Sequence, residues 1–345
     1  MKRILRSGAS SLYEYRSAGP CRVLVCSTPP SRGLLTDPVV CGLAYRRSVR
    51  GSVTEALRTL VAAAAAGLGE TIATLDVLRG GLSFGVADAV GEALGIDPAV
   101  SFIGTERATG QPIKLTYPRW ELGDADTLVV GDIIGTGSTL VAVLSEALTL
   151  ASRQRRPLRS IVVFTIGSRP GVKRLTDLIS GWDPSERPTL TVIALEALFE
   201  LPGAAVPAPF SSYPFDLLRA PASSAPEFER HRLQATGSLF ERCAIYDGGV
   251  RAFTPAEHAR AREAWWAEIL ERDVPLIELA KLTAGLSGYR LPYRQGGQST
   301  PWVDDATAAE LHRLGHAAWR YAEQTTVAQY VAGTLAQPVT TMSTS

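Results

Sequence analysis

From Arg22 to about Pro202 the chain alternates short β-branched apolar runs with helical stretches, and this alternation restricts its fold more than any other feature. The runs are RVLVCST (22–28), TIATLDVL (71–78), AVSFIG (99–104), TLVV (127–130), SIVVFTIG (160–167) and TLTVIALEALF (189–199). Between them, 52–68, 84–95 and a segment from about Ser138 to Ala151 read as helices. Ser52 and Glu55 have the spacing of a capping box at the start of the first of these. Strands that alternate with helices imply crossover connections and parallel neighbours. The runs do not alternate between apolar and polar residues, as expected of strands covered on both faces. The expected fold class is α/β, a mainly parallel twisted sheet with flanking helices, followed by a mostly helical C-terminal region.

The rhythm stops at LPGAAVPAPFSSYPFDLLRAPASSAPE (201–227), whose Pro, Ala and Ser content marks a linker. The predicted organisation is an N-terminal extension (1–21), an α/β domain (22–202), a Pro/Ala/Ser-rich linker (203–227), a mostly helical region (228–336) and a disordered tail (337–345). Thr254-Pro255-Ala256-Glu257 combines a capping box with proline at the first helical position. A last helix is expected from about Asp305 to Thr334.

With a formal net charge of +1, the 345-residue chain has no global field to recruit nucleic acid or an anionic membrane. A local basic pocket stays open. The longest apolar run, LVAAAAAGLG, is too short to span a bilayer, and the first residues carry no apolar signal core. Four cysteines, Cys21, Cys26, Cys41 and Cys243, form no C-x-x-C pair and read as reduced thiols. A cytoplasmic protein is expected.

The chemistry concentrates in Thr127–Leu140, TLVVGDIIGTGSTL. In open parallel sheets, ligands bind beyond the carboxyl ends of the strands. Here a strand ends, and a helix begins with amides that have no internal partner and with a positive dipole end. Gly137 lets a ligand approach closely, and Thr136, Ser138 and Thr139 add hydroxyls, so the turn suits a phosphate. Asp132, just before it, could accept hydrogen bonds from vicinal hydroxyls. Acid plus cradle suggests a ribose 5-phosphate group. An unliganded strand-to-helix turn is the alternative. No lysine follows the last glycine as a P-loop would need.

VVGDIIGTGST resembles the phosphoribosyl pyrophosphate motif of type I phosphoribosyltransferases, and DVLRGGLSFG (76–85) resembles the pyrophosphate loop of their uracil phosphoribosyltransferase branch. SFIGTERATGQP and YRRSVRGSVTEALRTLV support the likeness, which extends from about Arg22 to Gly171. It implies that Thr136, Gly137, Ser138 and Thr139 hold the 5-phosphate and that Asp132 binds ribose hydroxyls, with Gly131, Ile133, Ile134 and Gly135 as further substrate-binding positions. Arg79, Gly80 and Gly81 would line the pyrophosphate. Arg107 would belong to a loop, from about Glu106 to Asp124 with Gly110 and Gly123 as pivots, that closes over the reacting centre. Lys114 and Arg119 in that loop are either pyrophosphate contacts or solvated charges on a hairpin.

Two departures stand out. Most of the family carries two adjacent acids, whereas here the first is Gly131. The Gly-rich C-terminal segment by which the uracil branch reads its base has no match; AIYDGGVRAF (244–253) contains glycines without matching it. The missing segment points to an acceptor other than uracil. The resemblance implies Mg2+, phosphoribosyl pyrophosphate and a small-molecule acceptor as ligands, and a homodimer, as is common for similar folds. The expected reaction moves ribose 5-phosphate to a base or small heterocycle with release of pyrophosphate. The alternatives are a silent regulatory protein of the same fold and an enzyme that cleaves nucleotides by hydrolysis or phosphorolysis.

Elsewhere, His312 and His316 have the i, i+4 spacing of a metal pair, but the glutamate of H-E-x-x-H is absent. Surface histidines are expected instead, and no metal site is assigned. His231 is either part of a charged helix face or an acceptor-side base. Tyr246 to Gly249 read as a turn or a piece of an acceptor pocket. Trp265 and Trp266 are expected in a helix with one in a core, and Trp302 is expected to staple a helix start.

Overall fold

The computed structural model describes residues 1–65, 67–78, 80–106, 112–201, 219–235, 237–241, 243–247, 249–283 and 303–334. It divides into an α/β unit (1–31, 49–201 and 221–225) and a helical unit (32–48, 202–220 and 226–345).

The α/β unit is built on ten strands: β1 (Lys2–Ser7), β2 (Ser10–Ala18), β3 (Cys21–Ser27), β4 (Ile72–Leu78), β5 (Ala99–Glu106), β6 (Lys114–Arg119), β7 (Thr127–Ile134), β8 (Ser160–Ser168), β9 (Thr189–Glu200) and β10 (Arg219–Ser224). The order is β1-β2-β3-β9-β8-β7-β4-β5-β6, with β10 also paired to β9. From β3 to β5 every neighbouring pair is parallel. The β1–β2, β2–β3 and β5–β6 pairs are antiparallel. The helices are α1 (Pro29–Thr36), α2 (Gly42–Ala62), α3 (Val86–Leu94), α4 (Ser138–Arg153) and α5 (Arg169–Ser180), with α1 and α2 crossing the division between the units. All of β8 and nearly all of β7 are buried, which accounts for the unbroken apolar runs.

The first eighteen residues, read from sequence as an extension, include the hairpin β1–β2, which continues the sheet antiparallel to β3. Helix α2 is a correction. It starts at Gly42 and stops at Ala62, not at 52 and 68. Ser52 is fully buried inside it, so the capping-box spacing falls where the amides already belong to the helical ladder. The early stop coincides with Ala64, held at φ 49°.

The helical unit contains α6 (Pro226–Gln234), α7 (Gly237–Phe240), α8 (Pro255–Glu271), α9 (Leu276–Thr283), α10 (Asp305–Gln324) and α11 (Val327–Thr334). Phe240, Trp265, Trp266, Leu279, Leu311 and Tyr330 pack in its core. Both tryptophans are buried, edge to face with ring centroids 4.6 Å apart. Proline begins α8 as expected, but the Thr254 hydroxyl donates to the Glu257 carboxylate at 2.6 Å and caps no amide. The single last helix is also corrected. It breaks at Thr325, because Thr326 and Gln329 form a capping box of their own. The Gln329 amide donates to Thr326 Oγ1 (3.2 Å), and the Thr326 amide donates to Gln329 Oε1 (2.9 Å). No helix among the described residues is long and apolar enough to cross a membrane. Trp302, most of the linker and the tail lie outside the described residues.

Candidate active site

Strand β7 ends at Ile134, the chain turns through Gly135, Thr136 and Gly137, and α4 starts at Ser138. Gly137 has φ 78°, a left-handed conformation that glycine adopts without strain, and a Cβ there would lie 2.7 Å from the Gly171 carbonyl oxygen. Ser168 caps α5 by accepting from the Gly171 amide (2.9 Å) and donates to the Gly135 carbonyl (2.5 Å). The start of α5 thus fixes the turn from behind. The first turn of α4 carries no acid, and its first intrahelical bond runs from the Val141 amide to the Gly137 carbonyl. The amides of Ser138, Thr139 and Leu140 therefore precede the ladder, at the positive end of the helix.

The hydroxyls of Thr136 and Ser138 are 3.1 Å apart, and Arg174 Nη1 donates to Ser138 Oγ at 2.7 Å. Arg174 forms no ion pair among the described residues. Its neighbours on α5 do: Lys173 pairs with Asp177, and Arg169 with Glu200. A guanidinium thus sits at the mouth of a turn that already offers amides and hydroxyls. The sequence reading missed it, because Arg174 lies a whole strand away from the motif.

Asp132 is 8% exposed and accepts from the Ile133 amide at 2.8 Å. Burial pushes its carboxyl up to about 7, against a smaller lowering by that amide. Across the strand pair, in register, stands Thr165, whose buried hydroxyl has no partner among the described residues.

The second segment leaves the neighbouring strand. β4 ends at Leu78, and Gly80–Ser83 forms a single 3-10 turn before α3. A Cβ on Gly81 would lie 2.9 Å from the Gly131 carbonyl oxygen, so the turn packs on β7 itself. Gly80, Gly81 and the 131–139 segment therefore meet at one edge. Gly131 has a steric reason: a Cβ there would collide with Phe84 Cβ and lie 2.8 Å from Val86 Cγ1. Arg79 and Arg107 lie outside the described residues, as does Gly110 of the expected lid. Lys114 and Arg119 are on β6, paired with Glu106 (3.7 Å) and Glu121 (3.3 Å).

The remaining candidates lie in the helical unit. His231 Nδ1 is 2.9 Å from Thr36 Oγ1, and burial lowers its pKa. The Nε2 atoms of His312 and His316 are 3.1 Å apart, with no third metal ligand beside them among the described residues. Tyr246 lies in a 3-10 turn and donates to the Leu35 carbonyl at 3.2 Å.

No family model matches the chain. A uracil phosphoribosyltransferase of Natronomonas pharaonis is 33% identical over 159 residues, which are 43% of this chain and 66% of that relative, just under two thirds of its length. A hypoxanthine phosphoribosyltransferase structure from Staphylococcus aureus has a TM-score of 0.27 at 17% identity, covering 36% of this chain and 65% of its own. A hypoxanthine-guanine phosphoribosyltransferase structure from Bacillus anthracis has a TM-score of 0.29 at 17% identity, covering 47% and 84%. In sequence the chain is thus similar to this uracil phosphoribosyltransferase over 159 residues, with its C-terminal region unmatched.

Proposed function

We propose that this chain transfers ribose 5-phosphate from phosphoribosyl pyrophosphate to a base or small heterocyclic acceptor, releasing pyrophosphate. The observation that carries this reading is the meeting of two turns at one sheet edge. One presents helix-start amides, hydroxyls and the Arg174 guanidinium. The other packs on it through Gly81. The similarity to a protein named uracil phosphoribosyltransferase supports the same reading.

The 5-phosphate fits the turn from Gly135 to Thr139, where amides and hydroxyls donate to its oxygens and Arg174 balances its charge. Asp132, one turn inward, accepts from ribose hydroxyls and holds the sugar with C1 toward the loop after β4. Arg79, Gly80 and Gly81 stabilise the departing pyrophosphate, and Arg107, from the segment between β5 and β6, adds charge to it. The C1–O bond to pyrophosphate breaks as the acceptor nitrogen bonds to C1, so the protein supplies position and electrostatics rather than a nucleophile. Among the described residues no three His, Cys, Asp or Glu side chains converge, so this region builds no cage for Mg2+. An ion that keeps its waters and binds through donor phosphates fits an edge with so few carboxylates. When bound, Mg2+ neutralises charge on the leaving pyrophosphate.

One observation favours a second reading, a regulator that binds the donor without transfer: Phe84 and Val86 fill the place of the first acid at position 131. Pyrophosphate release separates the two. With phosphoribosyl pyrophosphate, Mg2+ and a panel of bases and small heterocycles, the transferase reading expects acceptor-dependent release. It also expects release to fall by about 10²–10³ in Arg79→Ala and Asp132→Asn. Donor binding without release with any acceptor supports the regulator. Full activity in both variants removes the site assignment.

A further inference from the structure

Strand β4 carries one acid, Asp76, in a largely apolar run. Asp76 is 8% exposed, and its Oδ1 is fully buried with no hydrogen-bond partner among the described residues. Its same-face neighbours on the strand, Thr74 and Leu78, carry no charge. Burial raises its carboxyl to about 6, and the like charge of Asp88 adds to the rise. Nothing described in the α/β unit rewards a carboxylate here.

Its register explains where it belongs. Asp76 stands directly beside Gly131 on β7. In-register residues of parallel strands share a face, and successive residues alternate faces. Asp132 therefore serves one face of the sheet edge, and Gly131, where an adjacent acid is missing, belongs to the face of Asp76. The 3-10 turn lies over both residues. A Cβ on Gly81 would be 3.6 Å from the Asp76 carbonyl carbon and 2.9 Å from the Gly131 carbonyl oxygen. A carboxylate cannot stand at 131, because Phe84 and Val86 occupy its space.

We propose that Asp76 supplies, from β4, the second sugar-binding carboxylate that β7 lacks, and that its oxygen accepts a hydrogen bond from a ribose hydroxyl of the bound donor. This rests on the reading of the edge as a donor site. It makes Asp76 a substrate-binding residue selective for the pentose rather than for phosphate.

The test uses the full chain with Mg2+ and compares wild type with Asp76→Asn by calorimetric titration of ribose 5-phosphate and, separately, of pyrophosphate. A hydrogen bond to a charged group predicts a loss of about tenfold or more in ribose 5-phosphate affinity. Pyrophosphate affinity should stay unchanged, and the melting temperature should be equal or higher, because a buried charge has gone. Asp76→Ser, measured alongside, should show the same selective loss. Unchanged ribose 5-phosphate affinity overturns the proposal alone. So does an equal loss for both ligands, which indicates a disturbed turn. If wild type binds neither ligand, the donor-site reading fails and takes this proposal with it.

Discussion

The helical unit and the sheet edge bury their acids in opposite ways. In the helical unit, Glu241 accepts from Arg262 at 2.5 and 2.9 Å and from the Trp266 indole at 2.9 Å, while Glu229 accepts from Arg232 at 2.6 Å. At the sheet edge, Asp132 accepts one bond from the next amide in the chain, and Asp76 Oδ1 accepts none from described residues. A buried charge costs several kcal/mol unless it is paired and hydrogen-bonded, so folds supply a partner with the acid. The helical unit does so. An edge that leaves two buried acids short of donors is built for donors that arrive from outside, and ribose hydroxyls are of that kind.

Removing a partner in the helical unit should have the largest effect on stability. Arg262→Met strands Glu241 in the core and should cost about 3–5 kcal/mol in urea unfolding. A loss below about 1 kcal/mol would mean that this pair is not the structural counterpart drawn here.

The edge should respond to pH instead. Asp132 titrates near 7 when folded against an ordinary 3.8, so between about pH 4 and 7 the folded state keeps a proton that the unfolded chain has released. The unfolded state then binds fewer protons, and stability falls as pH rises through that window. Asp76 acts in the same direction up to about pH 6. Thermal melts of the ligand-free protein should show this decline, and Asp132→Asn should flatten it and stabilise the protein above pH 7. A wild-type melting temperature that climbs from pH 4 to 7 would break the contrast between the helical unit and the edge.

The smallest effect sharpens the site's outer rim. Arg174 is exposed and already bonded to Ser138, so Arg174→Ala should raise the KM for phosphoribosyl pyrophosphate by about tenfold with little change in kcat. An unchanged KM would make Arg174 an ordinary surface arginine.

Six strands (β3, β4, β5, β7, β8 and β9) and their parallel pairing were legible in the sequence, because apolar runs are local signals; the β1–β2 hairpin, β6 and β10 were not. The pairing of the Gly80–Gly81 and 131–139 segments in one site came from the resemblance. Less local features were not legible. Arg174 reaches the turn only through the way α5 stacks behind α4. Asp76 did leave a trace, an acid inside TIATLDVL, but its meaning depends on register with Gly131. The start of α2 was misplaced because capping-box spacing recurs by chance inside helices, as Ser52 and Glu55 show. The working box at Thr326 and Gln329 was passed over inside an apparently continuous pattern. The arginines at 79 and 107 rest on resemblance alone.

The most direct test of a donor site at this edge is a crystal structure with phosphoribosyl pyrophosphate and Mg2+. The account predicts the 5-phosphate within hydrogen-bond distance of the Gly137 to Thr139 amides, the sugar hydroxyls toward Asp132, and the pyrophosphate along Gly80 and Gly81. A saturated complex with the turn at Thr136 empty and the donor bound elsewhere would contradict it.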